Sequence, residues 1–474
     1  MADAYDAIII GSGPNGLAAA ITLAQKNWRV LVLEAAPTIG GGTRTKELTL
    51  PGFHHDVCSA VHPTAVVSPF FQSLDLARHG LEFIQPDLPL AHPLADGRAA
   101  VLHQSLEETI AGLGRDGWRY RALFETLVTH SAQLYPDILD PLHLPRHPFL
   151  MARFGVAAML PARTLAKLAF RDDPARALLA GNAAHSVLPL ESPFTSAIGL
   201  MLQMTAHAAG WPVAKGGSQS IAEALAAELR SLGGEIQCNQ EVTSLAKIPP
   251  SRVVLFDTSP RQLIAIAGDA LPSGYQRRLR AFKHGPGVFK IDYALDGPVP
   301  WLNADCRKAG TVHVGGILDE ITRSEAQACH GEHPDRPFVL VSQPTVCDSS
   351  RAPTGKHILW AYCHVPAGST RDMTQIINAQ IERFAPGFRD RILATHTFNT
   401  AQMEAYNGNY IGGDIVGGMA NWAQLLTRPI VSLNPYATPN PRLYLCSAST
   451  PPAGGVHGMC GRNAAHAVLR RHRG

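Results

Sequence analysis

Three glycines set directly after a short apolar run constrain this chain more than any other feature. Ala7 to Ile10 suit a buried parallel strand. Gly11, Gly13 and Gly16 follow at G-x-G-x-x-G spacing, Leu17 to Lys26 read as a helix, and Val30 to Leu33 read as a second strand ending at Glu34. Each glycine has a physical task. Gly11 permits a tight turn, Gly13 admits a pyrophosphate close to the backbone, and Gly16 lets helix and strand pack closely. The free N–H groups at the helix start face negative charge. Glu34 stands 18 residues past Gly16, where an acid takes ribose hydroxyls and disfavours a 2′-phosphate. With strand, helix, second strand and acid in register, a dinucleotide other than NADP is expected at this end.

Two further glycine loops extend the pattern. Gly40 to Gly42 follow the second strand closely, with Arg44 and Thr45 behind them. Near the other terminus, Arg442 to Thr450 read as a strand leaving a turn. Pro451 to Ala465 then read as a glycine loop opening a helix that runs to Leu469. A strand, a glycine loop and a helix start form another site suited to negative charge. Together these segments resemble the phytoene dehydrogenase-related NAD(P)/FAD-dependent oxidoreductases of the amine oxidase and phytoene desaturase superfamily. The resemblance runs through the whole chain and includes Gly52 to Pro63, Gly210 to Ser218 and Asn407 to Ile415. One departure is Ala453, where such proteins often carry another glycine. A redox-active cysteine pair and a second dinucleotide fingerprint are both absent from the sequence.

The resemblance implies FAD rather than NAD. It implies an α/β fold, with a Rossmann-like FAD-binding domain of the two-dinucleotide-binding-domain type and an interleaved α+β substrate domain. Residues 1–66, 206–261 and 426–474 are assigned to the first, and 67–205 and 262–425 to the second. Implied FAD contacts are Gly11, Gly13, Pro14, Asn15 and Gly16, then Glu34 and Ala35, then Gly41, Gly42, Thr43, Arg44 and Thr45. Val242, on an expected strand from Glu235 to Ser244, is placed to meet adenine through its backbone. Ser449, Gly455, Val456, His457, Gly458 and Met459 are placed over the flavin ring.

Composition sets the remaining bounds. A chain of 474 residues exceeds one typical domain. A net charge of +3 is too small to argue for nucleic acid, and the Arg470 to Arg473 run is read as solvated. The 8 cysteines include no C-x-x-C, which favours free thiols in a reducing, cytoplasmic setting. Neither a signal peptide nor a run of roughly 20 apolar residues is visible. Phe149 to Phe170 mix apolar and basic residues, and Pro161 divides them into two expected helices. A peripheral membrane contact is one reading of that stretch. The favoured reading is a cap over the substrate cavity, buried by the rest of the chain or by a second copy in a homodimer.

Three side chains are candidates for chemistry. Lys290, at the start of an expected strand, matches a lysine that amine oxidases link to flavin N5 through water. His457 lies in the loop expected beside the flavin and is a candidate acid or base near neutral pH. His62 is a candidate cavity residue. His54, His55, His62 and Asp56 lack the spacing of a metal site, and no metal is expected. The implied activity is desaturation or dehydrogenation of a C–C or C–N bond in a small, mainly apolar organic substrate, with O2 or a quinone taking the electrons. Three alternatives are a flavin amine oxidase, a redox-neutral isomerase or saturase using reduced FAD, and a non-catalytic lipid-binding escort. The first of these calls for an aromatic pair facing the flavin, and the sequence shows no clear cage.

Overall fold

The computed structural model describes residues 5–472, so Arg473 lies outside the described residues. Its elements begin with β1 (Tyr5–Ile10), α1 (Pro14–Ala24), β2 (Val30–Leu33), β3 (Leu88–Pro93) and β4 (Ala99–Leu102). A helical stretch follows, with α2 (Pro148–Ala158), α3 (Ala162–Ala169), α4 (Asp173–Ala183), α5 (Thr195–Ala209) and α6 (Gln219–Ser231). Then come β5 (Glu235–Gln237), β6 (Ser251–Phe256), β7 (Gly287–Leu295), β8 (Ala309–Val314), β9 (Val339–Ser342) and β10 (His357–Val365). The principal elements end with α7 (Thr374–Glu382), β11 (Ile392–Phe398), β12 (Leu443–Leu445) and α8 (Met459–Arg471).

Five strands form a parallel sheet in the order β12-β6-β1-β2-β5. β1 and β2 are continuous apolar runs because both faces of the sheet are covered. Ile9 and Val32 face a core shared with α1, while Ile8 and Leu31 face a second cluster with Leu263 and Leu279. α1 is almost wholly buried, and its alanines allow α8 and α6 to lie against it. The closest approach is backbone to backbone. A Cβ on Gly461 of α8 would fall 1.8 Å from the Asn15 carbonyl oxygen of α1.

Seven strands form the second sheet, in the order β11-β7-β10-β9-β8-β3-β4, antiparallel except at β8–β3. Alternation divides it cleanly. Phe289, Ile291, Leu359, Ala361, Val341 and Val312 face α7 and close an apolar core. Of the intervening residues, Thr311, Leu340, Ser342, Trp360 and Tyr362 line a cavity, and His313 lies against Gly181 of α4.

One expectation is corrected. The strand expected from Glu235 to Ser244 ends at Gln237, so Val242 sits in the loop beyond it. The stretch from Phe149 does break at Pro161 into α2 and α3, bent by 99°. The rest of the chain buries one side of it, with Phe154, Leu165 and Phe170 in the core, and leaves Phe149, Val156 and Leu168 exposed. Among the described residues, no single helix is long and apolar enough to cross a membrane.

The α1–α8 contact leaves no room for a methyl group. Gly461→Ala is expected to cost about 2 kcal/mol or more, as overpacking does, read as a lower denaturation midpoint at unchanged slope.

Candidate active site

A cavity of about 740 Å³ lies between the two sheets. Its nucleotide-side wall is built from backbone. Gly11, Gly13, Pro14 and Asn15 line it at the end of β1, where α1 begins. The loop must be side-chain-free to close. A Cβ on Gly16 would sit 2.2 Å from the Gly11 carbonyl oxygen, and one on Gly13 would sit 2.7 Å from Asp257 Oδ2. Gly11 has φ +102°, open to glycine at no steric cost. Glu34 is oriented by its neighbours. Ser12 donates from N–H and Oγ to Oε2 (3.0 and 2.5 Å), and Ala36 N–H donates to Oε1 (2.9 Å). Arg44 Nη2 lies 3.2 Å from Oε1.

Of the residues implied for FAD, the cavity wall includes Gly11, Gly13, Pro14, Asn15, Glu34, Ala35, Gly41, Gly42, Thr43, Arg44, Val242, Ser449, Gly455 and Val456. The others stand behind it. Gly16 N–H donates to Asp257 Oδ2 (2.9 Å), and Thr45 Oγ1 donates to Asp56 Oδ1 (2.8 Å). Gly458 packs on Phe70, and Met459 opens α8.

The three chemical candidates are placed differently from the expectation. His457 does not line the cavity. Its Nε2 donates to the Ala453 carbonyl (3.1 Å) and its Nδ1 accepts from Met459 N–H (3.1 Å). Both nitrogens therefore pin the loop, and burial pushes the imidazole down to about 4, so it is neutral at pH 7. His62 is fully buried between Ser218 Oγ (3.1 Å) and Ser59 Oγ (3.5 Å), and burial pushes it down to about 4 too. Lys290 lies inside β7 rather than at its start, 1% exposed, with Nζ paired to Asp292. It lies 5.8 Å from the ring centre of Trp360, and that ring, not the amine, reaches the cavity.

Residues not singled out from the sequence complete the site. Asp257, just past β6, is buried against the glycine turn. Burial, with Glu34's charge adding, pushes its carboxyl up to about 7 against the Gly16 N–H. Its place beyond a strand's carboxyl end, where ligands of parallel sheets gather, was a usable signal. On the far wall stand Trp360 and Tyr362 of β10, rings edge to face at 5.0 Å, with Thr311, Leu340, Ser342 and His185. Their spacing of two along a strand puts Trp360 and Tyr362 on one face, so an aromatic pair exists where none was expected from composition.

The comparisons identify the family. A match to the flavin-containing amine oxidoreductases runs over residues 15–469. The chain belongs to that family. Its cofactor is accordingly FAD, and the side-chain-free cradle with a buried ribose-side acid fits that group. Pyridine nucleotide-disulfide oxidoreductase domain-containing protein 2 of Rattus norvegicus is 25% identical over 98% of this chain and 93% of its own length. The chloroplastic prolycopene isomerase of Arabidopsis thaliana is 25% identical over 75% of this chain and 62% of its own. The structure of wild-type putrescine oxidase bound to putrescine superposes with TM-score 0.63 at 18% identity, covering 98% of this chain and 99% of that one. This likeness extends to the fold, a Rossmann-like FAD domain joined to a second, larger sheet.

Three outcomes follow from this geometry. Asp257 holds a proton in the folded state that the unfolded chain releases above its ordinary 3.8, so it costs stability as pH rises from there to about 7. The wild-type minus Asp257→Asn difference in unfolding free energy should therefore fall across that window and flatten above it. Lys290→Met leaves Asp292 buried without a counter-charge and should cost about 3 kcal/mol or more in denaturation. Ala453, with φ +101°, occupies backbone space that strains any Cβ. Ala453→Gly should raise stability by about 1 kcal/mol.

Proposed function

We propose that this protein oxidises an uncharged, largely apolar organic molecule by removing a hydride to the flavin and a proton to solvent across a C–C or C–N bond, with O2 or a quinone as final acceptor. Bound FAD supplies the hydride-accepting chemistry at flavin N5. The carrying observation is the single cavity that joins the glycine cradle to the wall formed by Trp360 and Tyr362. That wall carries no charge. Burial pushes His185 down to about 3, and the ammonium of Lys290, on the same sheet face as Trp360, is paired with Asp292 and does not line the cavity. A bound amine would be held there as its free base, and a hydrocarbon segment without penalty. The two rings and Leu340 exclude water and restrict the substrate's orientation, which is the protein's share of bringing a C–H to its reaction distance.

The same wall suits a redox-neutral isomerisation with reduced FAD, which the similarity to prolycopene isomerase supports. One experiment separates the readings. The purified holoprotein is reduced anaerobically with candidate substrates while its flavin absorption is followed, and air or a quinone is then admitted. Bleaching by substrate, and recovery with one oxidant equivalent consumed, is the expected result. Turnover with no oxidant consumed selects the isomerase. A colourless protein that FAD does not reconstitute overturns both. Gly13→Val, whose side chain would meet Asp257, should give colourless protein.

A further inference from the structure

The face of the seven-stranded sheet that meets the cavity carries an ordered row of hydrogen-bond donors. Register places Thr311 of β8 opposite Ser342 of β9, and Ser342 opposite Trp360 of β10. The three side chains stand side by side on one face, about 5 Å apart. All three are buried, and all three line the cavity. The Trp360 indole N–H and the Ser342 hydroxyl have no hydrogen-bond partner among the described residues. Thr311 Oγ1 accepts from Trp211 Nε1 (2.9 Å), leaving its own proton to donate elsewhere.

Buried donors without partners are destabilising, and native proteins rarely keep two in one row without a use for them. An indole N–H only donates, so its missing partner is an acceptor. The charge of that acceptor is constrained as well. Neither a lysine nor an arginine lines this end of the cavity, since Arg44 is held by Glu34 at the nucleotide end. A carboxylate set against the row would be buried with no counter-charge. A pure hydrocarbon would leave both donors unpaired.

We infer that the substrate carries an uncharged acceptor oxygen, a carbonyl, which Thr311, Ser342 and Trp360 hold while its apolar part lies against Leu340 and Tyr362. This rests on the reading of the cavity as the substrate site. It narrows the substrate from an apolar molecule to a ketone, ester or amide with an apolar body. The row orients the molecule, and the three residues determine specificity.

Ethylbenzene, acetophenone and benzoate share one skeleton and differ in this one property, so they serve as probes. Each is titrated into oxidised holoprotein while flavin absorption is followed. Acetophenone should bind about tenfold or more tightly than the other two, the increment expected of one to two well-formed hydrogen bonds. Ser342→Ala combined with Trp360→Phe should abolish that preference. The same variant should keep its flavin content, because it gives up no internal hydrogen bond. Equal binding of all three, tighter binding of benzoate, absence of acetophenone binding, or a preference that survives the double substitution overturns the inference. A shift of the flavin spectrum in the ligand-free variant also overturns it, since the row would then be reading the cofactor. The proposed function fails on a different observation, flavin that no substrate bleaches, which leaves this binding order readable.

Discussion

Backbone meeting backbone at the carboxyl end of the parallel sheet is the constraint on which the rest of the molecule depends. A Cβ on Gly16 would strike the Gly11 carbonyl, one on Gly13 or Gly16 the Asp257 side chain, and one on Gly461 the Asn15 carbonyl. Three segments distant in sequence thus share one small volume. Their approach sets the width of the cradle, and it buries Asp257 against the start of α1, where the Gly16 N–H donates to its Oδ2 (2.9 Å). A carboxyl in that position is kept near neutrality by its surroundings, which lets an anion-binding turn tolerate an acid at its base.

The second sheet serves the site through simple alternation. Odd and even positions of β8 to β10 face different environments, an apolar core on one side and the cavity on the other. The strands thus build a rigid wall whose chemistry is independent of what holds the sheet together. Substitutions on the cavity face alter recognition, and those on the α7 face alter stability.

Buried ion pairs tie the two halves together. Asp56 accepts from Arg351 Nη2 (2.9 Å), Ser218 N–H (2.8 Å) and Thr45 Oγ1 (2.8 Å), joining three distant segments. Asp292 pairs with Lys290 and lies 3.7 Å from His55 Nδ1. Residue types that suggest catalysis in a sequence are here largely engaged in this framework. His62, His457 and Lys290 owe their environments to burial, and their polar atoms are directed at neighbours rather than at the cavity.

The nucleotide half was legible in the sequence because its signals are local. A glycine turn, the helix it opens and the strand that follows obey short-range sterics, so β1, α1, β2 and the start of α8 stand close to where the residues place them. The short β5 was misread since the apolar pattern continues past Gln237 while strand pairing does not. The cavity wall opposite the cradle was not legible at all. Thr311, Ser342 and Trp360 lie far apart in the chain and become neighbours only through strand register, which long-range pairing decides. Likewise, nothing local distinguishes a lysine that lines the cavity from one paired with a buried carboxylate beside it. The sequence by itself determined the family, the cofactor and the backbone cradle, because close packing of small residues leaves a pattern in the chain. Tertiary structure alone decided what faces the cavity, because that depends on which strands pair and which way each side chain points once they do.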